Sequence, residues 1–106
     1  MTESEFNELV DKTFEDLEMA LDRVEQELDY EAGGGVLTVD FDNDTTMVFS
    51  RQPPAQQLWL AARAGGFHFC WDEGAGDWRD TRSGELFRPF VVEQMRVQAA
   101  VKFDWE

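Results

Sequence analysis

The feature that most constrains the fold is a change of hydrophobic period at residues 33–35. Before it, apolar residues recur at steps of three and four, which predicts one amphipathic helix over residues 3–29. Its apolar stripe consists of Phe6, Val10, Phe14 (or Thr13), Leu17, Leu21, Val24 and Leu28. We expect a Thr2-x-x-Glu5 capping box at its start and the three consecutive glycines at its end.

After the glycines the hydrophobic period is two, which is typical of β-strands. It predicts five strands, at residues 36–42, 46–51, 58–63, 67–71 and 78–81. A second helix is predicted from about Ser83, and Pro89 is compatible with it only near the first turn. The tail alternates at Val101, Phe103 and Trp105, so we expect it to pack back on the domain.

This order of elements predicts an α+β fold. We expect a two-layer α-β sandwich, with two helices packed on one face of an antiparallel sheet of five or six strands. The length fits a single domain over residues 1–106, and nine Phe and four Trp residues suffice for one core. The second face of the sheet would then be open to solvent.

Alternation along the strands predicts which side chains lie on this open face. If Leu58 points to the core, Trp59 and Arg63 point outward, and the same argument applied to the next strand places His68 and Cys70 outward. Trp59 is a candidate contact residue, because tryptophan is enriched at the centres of protein interfaces. The alternative is that a neighbouring strand or loop covers it.

The formal net charge is −14, and it is concentrated at the N-terminus. Residues 1–31 hold twelve of the 23 acidic residues and only two of the nine basic ones. This argues against nucleic acid and anionic membrane surfaces as partners, since both bind clustered Lys and Arg. No apolar run is long enough to span a bilayer, and the acidic start MTESEFNELV predicts no targeting segment. With a single cysteine excluding an internal disulfide, we expect a cytoplasmic protein.

Six acidic residues recur at steps of three and four along the first predicted helix. They are Glu8, Asp11, Glu15, Glu18, Asp22 and Glu25. Two residues correspond to roughly 200° around a helix, so this acidic stripe faces solvent, opposite the apolar one. Simple solvation is the usual reason for surface charge, but a stripe of one sign loses the stabilisation that alternating charges give. A function is therefore the better explanation.

Carboxylate oxygens suit hard cations such as Mg²⁺, Ca²⁺, Mn²⁺ and oxygen-seeking iron. A convex helix face cannot enclose an ion, so water must complete its shell and the sites should be weak and poorly selective. The same stripe would attract an Arg- or Lys-rich protein. Common enzyme motifs are absent, and the chain's single histidine and single cysteine, His68 and Cys70, have no evident third partner for metal binding or catalysis.

Several separated blocks of sequence resemble bacterial frataxins, almost from end to end. They are Ser4-Glu5-Phe6, Leu17-Glu18, Leu21-Asp22, Gly34-Gly35-Val36-Leu37-Thr38-Val39, Gln57-Leu58-Trp59-Leu60-Ala61, Gly65-Gly66-Phe67-His68-Phe69 and Trp78 with Arg82-Ser83-Gly84-Glu85. The resemblance implies the α-β sandwich, weak iron binding by the acidic stripe and a role in iron–sulfur cluster assembly. It also implies docking on the cysteine desulfurase and the cluster scaffold complex.

The resemblance assigns iron binding to Asp11, Glu15, Glu18, Asp22 and Glu25, and the spacing argument adds Glu8. Other divalent cations are expected to substitute for iron. The predicted partner-binding residues are Glu15, Glu18, Asp22, Trp59, Arg63 and His68. We expect the acidic stripe and the adjoining sheet surface to form one contact surface, with Trp59 beside the stripe. Met19, Arg23 and Cys70 depart from the family pattern, which bears on the composition of the metal site.

The sequence therefore favours a non-catalytic, weakly iron-binding adaptor or regulator of cluster assembly. We expect it to be mostly monomeric, with metal-induced oligomers. One alternative is a ferroxidase, iron-storage protein or iron chaperone. The position of the single histidine argues against it, because this residue is predicted to lie away from the acidic stripe. The other is an acidic interaction protein with no metal role.

Overall fold

In the computed structural model, which describes residues 1–105, two helices flank a run of six strands. The elements are α1 (Glu3–Leu21), β1 (Leu28–Gly33), β2 (Val36–Phe41), β3 (Thr46–Gln52), β4 (Gln57–Ala62), β5 (Gly65–Asp72), β6 (Asp77–Asp80) and α2 (Phe87–Ala99). A single turn of 3₁₀ helix, Pro53–Ala55, separates β3 from β4.

The six strands form one antiparallel sheet in the order of the sequence, β1-β2-β3-β4-β5-β6. Side chains from both helices and from one face of the sheet make a common core. Its fully buried members include Phe6 and Leu17 of α1, Phe69 of β5, and Phe87 of α2, whose ring meets that of Phe69 edge-on. The α+β two-layer sandwich predicted from the sequence is confirmed.

The first helix is shorter than predicted, because it ends at Leu21 rather than near residue 29. Residues 28–33 form β1, which pairs with β2 through a two-residue turn at Gly34 and Gly35. Both glycines have positive φ angles, 61° and 80°, as a type I′ hairpin requires. The glycines therefore turn a hairpin instead of ending a helix.

Two forces account for this change. A longer helix would place Asp22, Glu25 and Asp29 near its C-terminus, where the helix dipole opposes negative charge. Pairing with β2 instead satisfies alternate main-chain groups of residues 28–33 and half-buries Leu28 and Tyr30 against the core. In the observed fold Glu25, Glu27 and Asp29 lie beyond the end of α1, so only Asp22, at the C-cap, is exposed to the unfavourable end of the helix dipole.

The predicted capping box of α1 is confirmed. The side-chain oxygen of Thr2 accepts a hydrogen bond from Glu5 N at 3.1 Å, and Thr2 N donates to Glu5 Oε1 at 3.0 Å. The hydrogen bonds from Thr2 lower the pKa of Glu5. The cap fixes where α1 begins and hence which of its residues face the sheet.

The second helix begins at Phe87, later than the predicted start near Ser83. The intervening residues fold back along β6, where Asp80 N donates to Glu85 O at 2.9 Å. No local side chain caps α2; the buried Asp77 of β6 instead accepts a hydrogen bond from Arg88 N at 3.0 Å. Burial raises the pKa of Asp77. Such a distant cap leaves no sequence signature at the helix start.

The five predicted strands, the place of Pro89 and the packing of the tail are confirmed, with strand ends shifted by one or two residues. Pro89 lies in the first turn of α2. In the tail, Val101 and Phe103 are buried and the ring of Trp105 packs on Phe87 with centroids 5.6 Å apart. The tail therefore closes one end of the core without joining the sheet.

We predict that Gly35→Ala destabilises the protein whereas Gly33→Ala does not. At Gly35 a Cβ would lie 3.1 Å from Cγ of Arg51 in a left-handed backbone conformation, whereas at Gly33 it would meet nothing within 4 Å. The free energy of unfolding, measured by urea denaturation, should fall by about 1–2 kcal/mol for Gly35→Ala. It should change by about 0.5 kcal/mol or less for the control. Equal losses would contradict the hairpin.

Candidate functional site

Five of the six predicted acids lie along one solvent-facing side of α1 and its C-cap. We call this set, Glu8, Asp11, Glu15, Glu18 and Asp22, the acidic ridge. Glu18 is half-buried and the other four are exposed. The sixth predicted residue, Glu25, is exposed in the turn between α1 and β1, so its predicted place on the helical stripe was wrong. The helix ends before its spacing could align it.

Two ridge carboxylates already have partners within the protein. Asp11 forms a salt bridge with Arg51 of β3, whose guanidinium also donates to Asn7 Oδ1 at 3.0 Å. Asp22 accepts a hydrogen bond from the hydroxyl of Tyr30 on β1 at 2.6 Å. Because these contacts join Asp11 and Asp22 to the sheet, they hold α1 in place over β1 and β3.

The hydroxyl of Tyr30 reports the electrostatics of the ridge. Its hydrogen bond to Asp22, with smaller contributions from desolvation and the negative charges of Asp22 and Glu18, raises the pKa of Tyr30 to about 12. The phenol therefore stays protonated and continues to donate to Asp22 over the neutral pH range.

The other three ridge acids, Glu8, Glu15 and Glu18, have no hydrogen bond or ion pair with any residue in the range 1–105. Glu15 and Glu18 also line a groove between α1 and the β1–β2 hairpin. The other lining residues are Asp11, Phe14, Ala32, Gly33, Gly35, Val36 and Arg51. These carboxylates are available to a hydrated cation or to basic side chains of another protein.

Within residues 1–105, no group of three or more His, Cys, Asp or Glu side chains converges on a point suited to a metal ion. Neighbouring ridge acids lie one helical turn apart, so at most two of them can approach the same ion from adjacent turns. Water would have to supply the remaining ligands.

The outer face of the sheet carries a second group of candidate residues. Trp59 and His68 lie opposite each other on β4 and β5, and their rings stack with centroids 4.3 Å apart and planes 13° apart. Trp59 Nε1 donates to Gln57 Oε1 at 2.8 Å, and Gln57 Nε2 is 3.7 Å from Cys70 Sγ. The predicted outward placement of Trp59, His68 and Cys70 is confirmed; Trp59 is half-buried and the other two are exposed.

Arg63 does not join this group, and its predicted outward orientation was wrong. β4 ends at Ala62, so Arg63 belongs to the following turn and no longer obeys strand alternation. Its guanidinium donates to Val97 O at 3.2 Å and its main-chain N donates to Gln98 Oε1 at 2.9 Å. The side chain thus caps the C-terminal end of α2, on the helical side of the sheet.

The ridge and the Trp59–His68 stack lie on opposite sides of the molecule. The ridge belongs to the helical layer, whereas the stack belongs to the open face of the sheet. The prediction that Trp59 adjoins the ridge was therefore wrong, because it took no account of the sheet between them.

Sequence reasoning missed Tyr30 and Arg51, which hold two ridge carboxylates. Tyr30 lies in β1, whose first residues the helical periodicity of residues 3–29 led us to assign to a helix. Arg51 contacts Asp11, which is distant from it in sequence. A strand-like reading of Leu28, Tyr30 and Ala32 before the glycine pair was the available signal for β1. For Arg51, no comparable local pattern exists.

Within residues 1–105 neither helix is long and apolar enough to cross a membrane. The molecule is an α-β sandwich with a one-signed helical surface on one side and a stacked Trp–His pair on the other. This arrangement is typical of a small acidic docking protein, with two surfaces that other macromolecules can contact.

The frataxin-like domain model matches residues 1–101, and this chain belongs to the frataxin family. The iron-sulfur cluster assembly protein CyaY of Pseudomonas fluorescens Pf-5 is 44% identical over 110 residues, covering all of this chain and 96% of the relative. The protein of the same name from Pseudomonas aeruginosa is 48% identical over 98 residues, covering 89% of this chain and 91% of the relative.

Solved structures agree with the fold. Frataxin from Psychromonas ingrahamii superposes with a TM-score of 0.92 at 32% identity, covering all of this chain and 99% of the other. A trimeric frataxin from the yeast Saccharomyces cerevisiae, complexed with ferrous, has a TM-score of 0.70 at 24% identity, covering 94% and 88%. At that identity the yeast structure supports the fold alone.

We predict that the single tyrosine of this chain titrates near pH 12 and that Asp22→Asn returns its midpoint toward the ordinary value of about 10. Because folding raises the pKa, the Tyr30–Asp22 contact stabilises the fold below about pH 10, and this contribution is lost as the pH rises through 12. Ultraviolet absorbance of the phenolate measures the midpoint, and circular dichroism checks that the chain stays folded. Identical midpoints in the two proteins would contradict the contact.

Proposed function

We propose that this chain is a non-catalytic adaptor of iron–sulfur cluster assembly that docks on a cysteine desulfurase through its acidic ridge. The observation that carries the proposal is the set of ridge carboxylates, Glu8, Glu15 and Glu18, that have no partner within residues 1–105. The assembly role is supported by relatives named for it that match the chain over nearly its full length.

A ridge of this kind suits a basic protein surface. Its charges have one sign, and the whole chain has a formal net charge of −14. A positively charged partner is therefore attracted before contact. Lys and Arg side chains of the partner can then pair with carboxylates that have no hydrogen bond or ion pair within residues 1–105. Since no internal salt bridge of Glu8, Glu15 or Glu18 has to break, docking requires little rearrangement.

We further propose that the ridge binds iron weakly as cargo or as a regulator. Glu15 and Glu18 lie on one side of the groove beside the hairpin, and their oxygens are hard donors that suit iron and other divalent cations. Two protein ligands and a shell of water predict exchange rather than tight storage. Iron and a basic partner would compete for the same carboxylates.

The second surface suggests a second contact in the assembly. Trp59 and His68 present a stacked aromatic pair on the open face of the sheet, which is the face not covered by the helices. We propose that this pair contacts the cluster scaffold while the ridge holds the desulfurase, so that the adaptor lies between them. Arg63 is not part of this surface, since its guanidinium bonds to α2.

The same charges bear on self-association. Two copies of a chain with a net charge of −14 repel each other, which favours a monomer in the absence of metal. Cations bound along the ridge would reduce the repulsion, and we propose that oligomers form only when metal is present.

We predict that Glu15→Lys with Glu18→Lys weakens binding to the purified cysteine desulfurase at least tenfold, since attraction becomes repulsion. Isothermal titration calorimetry measures the dissociation constant. The matched control is Asp42→Lys with Glu93→Lys, which changes the net charge equally at exposed sites off the ridge. If both double variants bind like the original chain, ridge docking is ruled out; if both weaken equally, net charge alone is responsible.

We predict that Fe²⁺ added without oxygen raises the thermal unfolding midpoint and broadens the amide NMR signals of the ridge. At ten times the dissociation constant a ligand stabilises the fold by about 1.4 kcal/mol, which corresponds to about 6 °C for a chain of this size. The variant Glu15→Gln with Glu18→Gln should lose most of this response. Unchanged melting and unchanged ridge signals in the original chain would refute iron binding there.

A further inference from the structure

One edge of the sheet has unused main-chain hydrogen-bonding groups. In a two-residue hairpin the residues flanking the turn, Gly33 and Val36, form a hydrogen-bonded pair, and such pairs recur at every second residue. Main-chain groups of Leu28, Tyr30 and Ala32 therefore point away from β2. No residue in the range 1–105 hydrogen-bonds to them.

The opposite edge of the sheet is different. Beyond β6, the chain folds back so that Asp80 N donates to Glu85 O at 2.9 Å, and Arg79 forms an isolated bridge with Leu86. This return segment covers much of the β6 edge. The edge at β6 is thus largely covered, whereas the edge at β1 is accessible.

Negative charge lines the β1 edge on both faces of the sheet. On the helical side, Asp22 bonds to Tyr30 of β1, with Glu18 one helical turn away on the ridge. On the outer side, Asp29 and Glu31 of β1 are exposed, and Asp29 lies opposite a further acid, Asp40 of β2.

This charge distribution selects the occupant of the edge. A second copy of the chain, paired edge to edge, would bring Asp29 and Glu31 against their own counterparts, so self-pairing is disfavoured. A strand with Lys or Arg on both of its faces would instead meet carboxylates on both sides. The charge of the edge therefore disfavours pairing with a second copy of the chain and is complementary to a basic segment.

We infer that β1 accepts an extended, Lys- or Arg-rich segment of a partner protein as a seventh strand of the sheet. Strand addition of this kind supplies affinity through the main chain and specificity through alternate side chains. The identity of the partner rests on the proposed function, since the β1 edge is continuous with the ridge. The pairing itself rests on the geometry of β1.

A substitution at Ala32 can block this edge without changing the charge of the chain. Proline at Ala32 removes an N–H that points away from β2, and edge strands tolerate proline at such positions. Ala32→Thr is the matched control, because it keeps the N–H and has good strand propensity. Ala32 is exposed, so neither side chain disturbs the core. Circular dichroism and thermal melting verify that both variants fold.

The first arm of the test uses a blocked nine-residue peptide, Lys-Lys-Thr repeated three times, which carries lysine on both faces. Amide hydrogen exchange is followed by NMR. In the free chain, Asp29 and Glu31 should exchange slowly and Leu28, Tyr30 and Ala32 rapidly; saturating peptide should slow the latter three at least tenfold. The same peptide N-methylated at every residue keeps its charge but has no main-chain N–H donor on either edge, and should bind at least tenfold more weakly.

The inference is overturned if the peptide does not bind, if it binds without protecting these three amides, or if N-methylation leaves its affinity unchanged. It is also overturned if Ala32→Pro binds the peptide as tightly as Ala32→Thr. Any of these results would show that the edge is not used, even if the ridge attracts the peptide.

The second arm repeats the binding measurement with purified cysteine desulfurase. We expect Ala32→Pro to weaken binding at least fivefold relative to Ala32→Thr. If Ala32→Pro has no effect while ridge charge reversal abolishes binding, the proposed function stands and the seventh strand fails. If Ala32→Pro weakens binding while charge reversal does not, ridge docking fails and the strand inference stands.

Discussion

The pairing of β1 with β2 across Gly34 and Gly35 is the interaction on which the rest of the site depends. It draws residues 28–33 into the sheet and therefore ends α1 at Leu21. It brings Tyr30 to Asp22, which secures the C-terminal end of the ridge. It also creates the free edge beside the ridge. Without this hairpin, the acidic residues would lie on a longer, isolated helix with no adjoining groove.

The structure keeps its hydrophobic core and its charged surface separate. One face of α1 is buried in a core closed by large aromatic residues such as Phe6 and Trp78, and the opposite face is left to the ridge. The repulsion among the ridge acids is a cost of a few tenths of a kcal/mol for each neighbouring pair, which the burial of a single aromatic side chain exceeds. The fold can thus maintain a surface of one charge.

Most of the fold could be predicted from periodicity, because local pattern and tertiary packing agree in β2 to β6 and along the buried side of α1. The exceptions arise where contacts between residues distant in sequence determine the local structure. β1 reads as helix at steps of three and four, but pairing with β2 overrides that tendency. Asp77 caps α2 from another strand, and Arg63 turns to α2 once its strand has ended. The ridge acids followed from spacing alone, whereas Glu25 lay beyond the helix end.

The proposed function depends on recognition of the partner by the charge of the ridge, and the salt dependence of binding is its strictest test. The dissociation constant for the cysteine desulfurase would be measured by calorimetry at several NaCl concentrations between 50 and 500 mM. Exposed charges are screened over about 10 Å at 0.1 M salt and about 3 Å at 1 M. We expect binding to weaken at least tenfold across this range. An affinity that does not change with salt would contradict it.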